Sequence, residues 1–217
     1  MKRAKRILCF GDSNTYGYDY RTHDRYDAHT RWTGILADKL GDGYCVLECG
    51  KNNRTTVYNY GGDPAYNGSE ILPTILKENY PVDYIVVMLG SNDCKTEFSA
   101  TPEIVGMGLE IIVDLIKLFD NRTSVILVSP PLITGTILQD GNFSGSFGRS
   151  SISVSAALPA VIEKIAAVKD CRYLSCEGLV TTENADGLHL APEGHRQLAE
   201  ALEKLIRSAE AEPIQQV

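Results

Sequence analysis

Four polar blocks carry residue types that can do chemistry together: "GDSN" at 11–14, "ECGKNNRTT" at 48–56, "GSND" at 90–93 and "DGLH" at 186–189. A serine hydroxyl is a weak nucleophile at neutral pH. It needs a base beside it, the base needs an orienting group, and the tetrahedral intermediate needs fixed donors for its oxyanion. Ser13 offers the hydroxyl, His189 the imidazole and Asp186 a carboxylate three residues before it. In a helical or tight turn that spacing brings both side chains to one side. The carboxylate then accepts from one ring nitrogen and leaves the other to take the serine proton. Each block alone is ordinary turn chemistry: Ser13 by itself reads first as a helix cap, and Asn92–Asp93 as an Asx turn. Their joint meaning depends on the elements that position them.

Five short runs of apolar, largely β-branched residues predict buried strands: Arg6–Phe10, Tyr44–Glu48, Tyr84–Leu89, Ser124–Ser129 and Arg172–Cys176. Near-continuous hydrophobicity, rather than alternation, suits a parallel sheet covered on both faces. Helical patterns lie between them: "RWTGILADKLG" stopping at Gly41, "NGSEILPTILKENY" interrupted by Pro73, and "TPEIVGMGLEIIVDLIKLF" with Thr101 as cap and Pro102 at its first position. "SISVSAALPAVIEKIAAVK" and "APEGHRQLAEALEKLIRSAE" complete the set. This alternation predicts one domain over 1–217, a three-layer α/β/α sandwich around a five-stranded, mostly parallel, doubly wound sheet. Ligands in such sheets sit at the carboxyl ends of the strands, where the polar blocks fall. The irregular stretch 131–150 exceeds an ordinary connection and reads as a lid, binding loop or interface; 211–217 reads as a frayed tail.

Composition is that of a folded globular chain, 43% apolar and 23% charged. A formal charge of −7 argues against a nucleic-acid or anionic-membrane surface. The apolar run Ile7–Phe10 after the basic N-terminus is too short for a signal peptide, and no stretch reads as membrane-spanning, so a cytoplasmic protein is expected. Six scattered cysteines without paired CxxC spacing predict reduced, mostly buried thiols and no zinc; no cofactor is called for. Cys94 reads as packing. His195, six residues beyond His189, is expected on the surface, and His23 and His29 at the pocket mouth or in solvent. Asp12 and Trp32 stand as candidates for substrate contact, with a turn brace and core packing as their plainer roles.

"FGDSNT", "GSND" and "DGLH" resemble the SGNH (GDSL-type) esterase and lipase superfamily, and "RILCFGDS", "RWTGILADKL", "IVVMLGSND" and "VILVSPP" its bacterial arylesterase and acyltransferase branch. The resemblance spans nearly the whole chain. It implies a flavodoxin-like fold and makes Ser13 the nucleophile, with Asp186 and His189 completing a triad. It also implies an oxyanion hole built from the Ser13 N–H, the Asn92 side-chain amide and a backbone N–H of the second block. Asn14 departs from the usual Gly-Asp-Ser-Leu. In the second block, alignment on Arg54–Thr55–Thr56 puts Asn53 at the backbone donor position, with Gly50 as the competing choice. The expected activity is hydrolysis of small-molecule, short-acyl carboxylic esters, with transfer to alcohols as a variant. Carbohydrate acetate, lysophospholipid and thioester substrates stay open, as does a homo-oligomer. Two rival readings are a metal-dependent phosphoesterase using Asp12, Asp93, Asp186 and His189, and a non-catalytic binding module.

Overall fold

In the computed structural model, which describes residues 3–211 except 140 and 144, the first apolar run is strand β1 (Lys5–Gly11). A single helical turn, α1 (Ser13–Tyr16), and a two-stranded ribbon, β2 (Tyr18–Asp19) with β3 (Asp24–Arg25), follow. The chain continues through α2 (Trp32–Leu40), β4 (Tyr44–Gly50), α3 (Gly68–Asn79), β5 (Tyr84–Met88) and α4 (Pro102–Phe119). It ends with β6 (Ser124–Ser129), α5 (Arg149–Val168), β7 (Arg172–Ser175) and α6 (Pro192–Ala211). The main sheet is parallel throughout, in the order β4-β1-β5-β6-β7. Strand order reverses at β1, so the crevice at its carboxyl end is the topological switch point.

Alternate residues of the strands feed two separate cores. Leu8, Phe10, Ile85, Val87 and Leu127 pack under α3, α4 and α5. Ile7, Cys9, Val86, Met88, Ile126 and Val128 pack under α2 and α6. Both faces are therefore covered, which explains why the strands read as continuous apolar runs. Helix ends follow their sequence signals: Thr101 Oγ1 accepts from the Ile104 N–H at the start of α4, and Gly41 ends α2 at φ +74°. Pro73 lies inside α3 without ending it. By length and composition α5 is apolar enough to cross a membrane, contrary to the sequence expectation, yet its own Leu158, Ile162 and Ile165 are buried against the sheet's core. The six cysteines are free. Residues 212–217, most of the expected tail, lie outside the described residues.

His195 corrects the sequence reading. Its side chain is fully buried, its Nδ1 accepts from the Trp32 N–H at 3.3 Å, and its ring meets Tyr26 edge-on. The helical phase counted from His189 misleads because α6 begins only at Pro192. Burial, and secondarily the charge of His189, lowers the His195 pKa to about 3. The unfolded chain therefore binds a proton at His195 between about pH 6.5 and 3 that the folded chain refuses, and stability falls as pH drops through that window. A His195→Gln variant should lose less stability between pH 7.5 and 5 than the wild type, by about 2 kcal/mol in urea denaturation. Equal pH slopes for the two proteins would contradict a neutral buried His195.

Candidate active site

Each polar block sits at the carboxyl edge of the sheet because its strand ends there. At the end of β1 the backbone must turn at once into α1. A Cβ on Gly11 would lie 2.0 Å from Thr15 Oγ1 and 2.7 Å from the Met88 carbonyl, so only glycine allows the turn. Asp12 caps the turn, Oδ1 accepting from the Asn14 N–H at 3.0 Å. Burial raises its pKa to about 6 against that hydrogen bond. Ser13 opens the turn, and Gly17 closes it at φ +85°.

The other two members come from the segment after β7. The Asp186 carboxylate accepts from two backbone N–H groups, Leu188 at 3.0 Å and His189 at 2.8 Å, through Oδ1. Its Oδ2 lies 2.6 Å from His189 Nδ1, and His189 Nε2 lies 2.9 Å from Ser13 Oγ. With the ring proton on Nδ1, donated to Asp186, Nε2 is free to accept the serine proton. Burial pushes the Asp186 pKa up, but the hydrogen bonds and charge of His189 and the N–H groups outweigh it, holding the carboxyl below its ordinary range. Asp186, His189 and Ser13 are all buried. The Tyr18 ring lies 4.5 Å from the imidazole and that of Phe143 5.9 Å, limiting how the ring can swing.

The loops after β4 and β5 complete the rim. Asn53 adopts φ +63°, the left-handed conformation that Asn tolerates better than most residues, and lines the cavity. Among the described residues neither its N–H nor that of Ser13 is hydrogen-bonded. Gly50 pairs with Gly11 inside the sheet, and a Cβ there would lie 2.1 Å from the Tyr16 N; it is a packing glycine under α1. Asn92 Nδ2 donates one hydrogen to the Arg54 carbonyl at 3.1 Å, fixing the amide and leaving its second hydrogen. The Asp93 carboxylate accepts from the Thr56 N–H at 3.0 Å and from its hydroxyl, tying the two loops together; burial raises its pKa to about 6.

Ser13, His189, Asn53 and Asn92 line one cavity of about 170 Å³, walled by Tyr18, Tyr60, Phe143 and Phe147, with Lys95 among its residues. Asp12 and Trp32 do not line it. Asp12 is buried under the turn, and Trp32 is wholly buried on the α2 side, its Nε1–H donating to the Asn14 carbonyl at 3.0 Å. His23 meets the Tyr18 hydroxyl at 2.7 Å, and His29 is exposed beside Asp38. Among the described residues no group of three or more His, Cys, Asp or Glu stands together as a metal site. Part of 131–150 is short 3₁₀ turns, Gly135–Leu138 and Gly141–Phe143, and its described contributions to the wall are Phe143, Ser146 and Phe147; residues 140 and 144 lie outside the described residues.

Asn14, which in the sequence is only a departure from Gly-Asp-Ser-Leu, has a structural role. Its Nδ2 donates to the Leu188 carbonyl at 3.1 Å, and its Oδ1 accepts from the Leu190 N–H at 2.9 Å. The side chain straps the serine turn to the histidine segment on either side of His189. Arg54 was also missed: its guanidinium donates to the Gly11 carbonyl at 2.9 Å and lies over the Phe10 ring, joining the ends of β1 and β4.

The fold and site together define a doubly wound α/β protein with a Ser-His-Asp line at its switch point. A model of the GDSL-like Lipase/Acylhydrolase family matches residues 9–197, and the chain belongs to that family. It is a carboxylic ester hydrolase. Among solved structures it is similar to the aryl esterase of M. smegmatis, at 31% identity and TM-score 0.87 over 94% of this chain and 99% of that one. A carbohydrate acetylesterase family member from Sinorhizobium meliloti is similar at 32% identity and TM-score 0.86, over 94% and 98%. Est24, a carbohydrate acetylesterase from the same organism, is similar at 30% identity and TM-score 0.87, over 94% and 99%. No curated relative matches the chain.

An Asn14→Ala variant strands a buried carbonyl and a buried N–H beside His189. It should lose about 2–3 kcal/mol in urea denaturation, and ester hydrolysis should fall ~10-fold or more as the imidazole loses its placement. Unchanged stability would show that the strap holds nothing.

Proposed function

We propose that this chain is a serine esterase acting on carboxylic esters with short acyl groups, acetyl above all. The observation that carries this reading is the unbroken line from Ser13 Oγ through His189 to Asp186, opening on one small cavity. Ser13 Oγ attacks the acyl carbonyl as His189 Nε2 takes its proton, and Asp186 stabilises the imidazolium. The oxyanion receives the Ser13 N–H, the Asn53 N–H and the free hydrogen of the Asn92 amide. The alcohol leaves with the proton from His189, and water activated by the same nitrogen releases the acyl group. An alcohol in the place of water carries the acyl group away instead.

The cavity volume of about 170 Å³ supports a short acyl group, as does the likeness to an aryl esterase and to carbohydrate acetylesterases. The acidic charge and the free thiols support a small-molecule ester as partner and the cytoplasm as compartment, rather than a nucleic acid or a membrane surface.

Ser13→Ala should abolish turnover of 4-nitrophenyl acetate and labelling by a fluorophosphonate, and persistence of either would refute the assignment. Asn92→Ala should lower kcat by ~10²–10³ and, by stranding the buried Arg54 carbonyl, cost about 1–2 kcal/mol in urea denaturation, a loss far too small to account for the rate. Along a 4-nitrophenyl ester series, kcat/KM should be highest at acetate or propionate and lower by ~10-fold or more at octanoate. A series rising toward long chains would contradict the short-acyl reading.

A further inference from the structure

Lys95 is the one residue of the cavity lining with a fixed positive charge, and it is 3% exposed. Its Nζ donates to Asn53 Oδ1 at 2.9 Å and lies 3.4 Å from the centre of the Tyr60 ring. Among the described residues no carboxylate reaches it within ion-pair distance. The neighbouring acids act on the ammonium only at a distance, raising its pKa without pairing with it: Asp93 accepts from Thr56, Asp12 accepts from the Asn14 N–H through Oδ1, and Glu97 is exposed. An ammonium buried without a counter-ion is costly, and a neutral amide and a ring face offset only part of that cost.

From this geometry we propose that Lys95 is a specificity-determining residue that draws into the site esters bearing a carboxylate close to the scissile bond. This rests on the serine-esterase reading and names its substrate class. The carboxylate sits either on the acyl side, as in the half-ester of a short dicarboxylic acid, or on the alcohol side, as in the acetyl ester of a hydroxy acid. In either case it replaces the missing counter-ion of a desolvated cation, where a charge pair is worth most. Burial lowers the Lys95 pKa to about 8, which leaves the ammonium mostly protonated at neutral pH. The net charge of −7 provides no general attraction for anions, so the preference must be local.

Two isosteric pairs test it by proton release: acetoxyacetate against acetoxyacetamide for the alcohol side, and monoethyl malonate against ethyl malonamate for the acyl side. The wild type should favour the carboxylate in at least one pair by ~10-fold or more in kcat/KM, and the pair that responds identifies the side. Lys95→Met should erase that preference, falling more on the carboxylate than on the amide, and Lys95→Arg should retain part of it. No preference in either wild-type pair overturns the proposal. So does a Lys95→Met enzyme that keeps the preference, or one that loses carboxylate and amide equally, which would make Lys95 only a support for Asn53. As a measurement needing no variant, propionate should inhibit wild-type 4-nitrophenyl acetate hydrolysis competitively and propionamide much less; equal inhibition counts against it. The acetate assay and the Ser13→Ala control report on the esterase reading separately.

Discussion

The site depends on bringing an imidazole across the sheet. Ser13 follows β1, while His189 comes 176 residues later, after β7, and β5 and β6 lie between those strands. Three interstrand steps amount to roughly 14 Å, so the segment after β7 must arch over the strand ends and stop within hydrogen-bond distance of a particular hydroxyl. Several contacts hold the arch. Thr182 Oγ1 donates to the Leu132 carbonyl, the Thr134 N–H donates to the Gly187 carbonyl, and Gly187 lies so close to Ile137 that a Cβ would be 2.2 Å from its N. At the near end Asn14 grips both neighbours of His189. One amide side chain thus ties the serine turn to the segment that carries the imidazole.

A second constraint lies beneath the rim, where strands end and their backbone groups lose ladder partners. There the Gly11 carbonyl accepts from the Lys51 N–H and also from Arg54, which donates to the Cys49 carbonyl as well from a position that is itself buried. Desolvation lowers its pKa to about 10, still leaving it cationic at neutral pH. The carbonyl of the same residue accepts from the Asn92 amide, and its neighbour Thr56 is held by Asp93. The loops after β4 and β5 therefore lock to each other before they meet any ligand. That mutual grip sets the positions of the Asn53 N–H and the Asn92 amide without a contact between them.

Much of this was legible in the sequence where the signal is local. Buried parallel strands announce themselves as short apolar runs, and the structure lengthens or trims them by one or two residues at their ends, as at Lys5–Gly11 and Tyr44–Gly50. Ser13, Asp186 and His189 stand in tight turns whose residue types are chemically distinctive. What stayed hidden depends on long-range meeting. Asn14 looks like a turn residue because its partners lie 174 and 176 residues away. Lys95 looks like a solvated charge after a turn, and nothing local says that Tyr60 and Asn53 will cover it. His195 looks surface-facing by helical phase from His189, but α6 starts only at Pro192, so that phase does not carry across.

Two sets of polar groups surround Ser13. Groups that hold the site are paired: Asp93 with Thr56, Asp186 with two N–H groups, Asn14 with both neighbours of His189. Groups that face the cavity are left short of partners: the Ser13 and Asn53 N–H groups, the second hydrogen of Asn92 and the Lys95 ammonium. Burying unmet donors costs stability, and proteins keep few of them. Around Ser13 the fold holds several donors whose remaining hydrogens face one small cavity, even where another hydrogen of the same group is bonded, as Lys95 is to Asn53 and Asn92 to Arg54. Such donors favour negative charge at that point, which is where the proposed attack on an ester carbonyl would develop it.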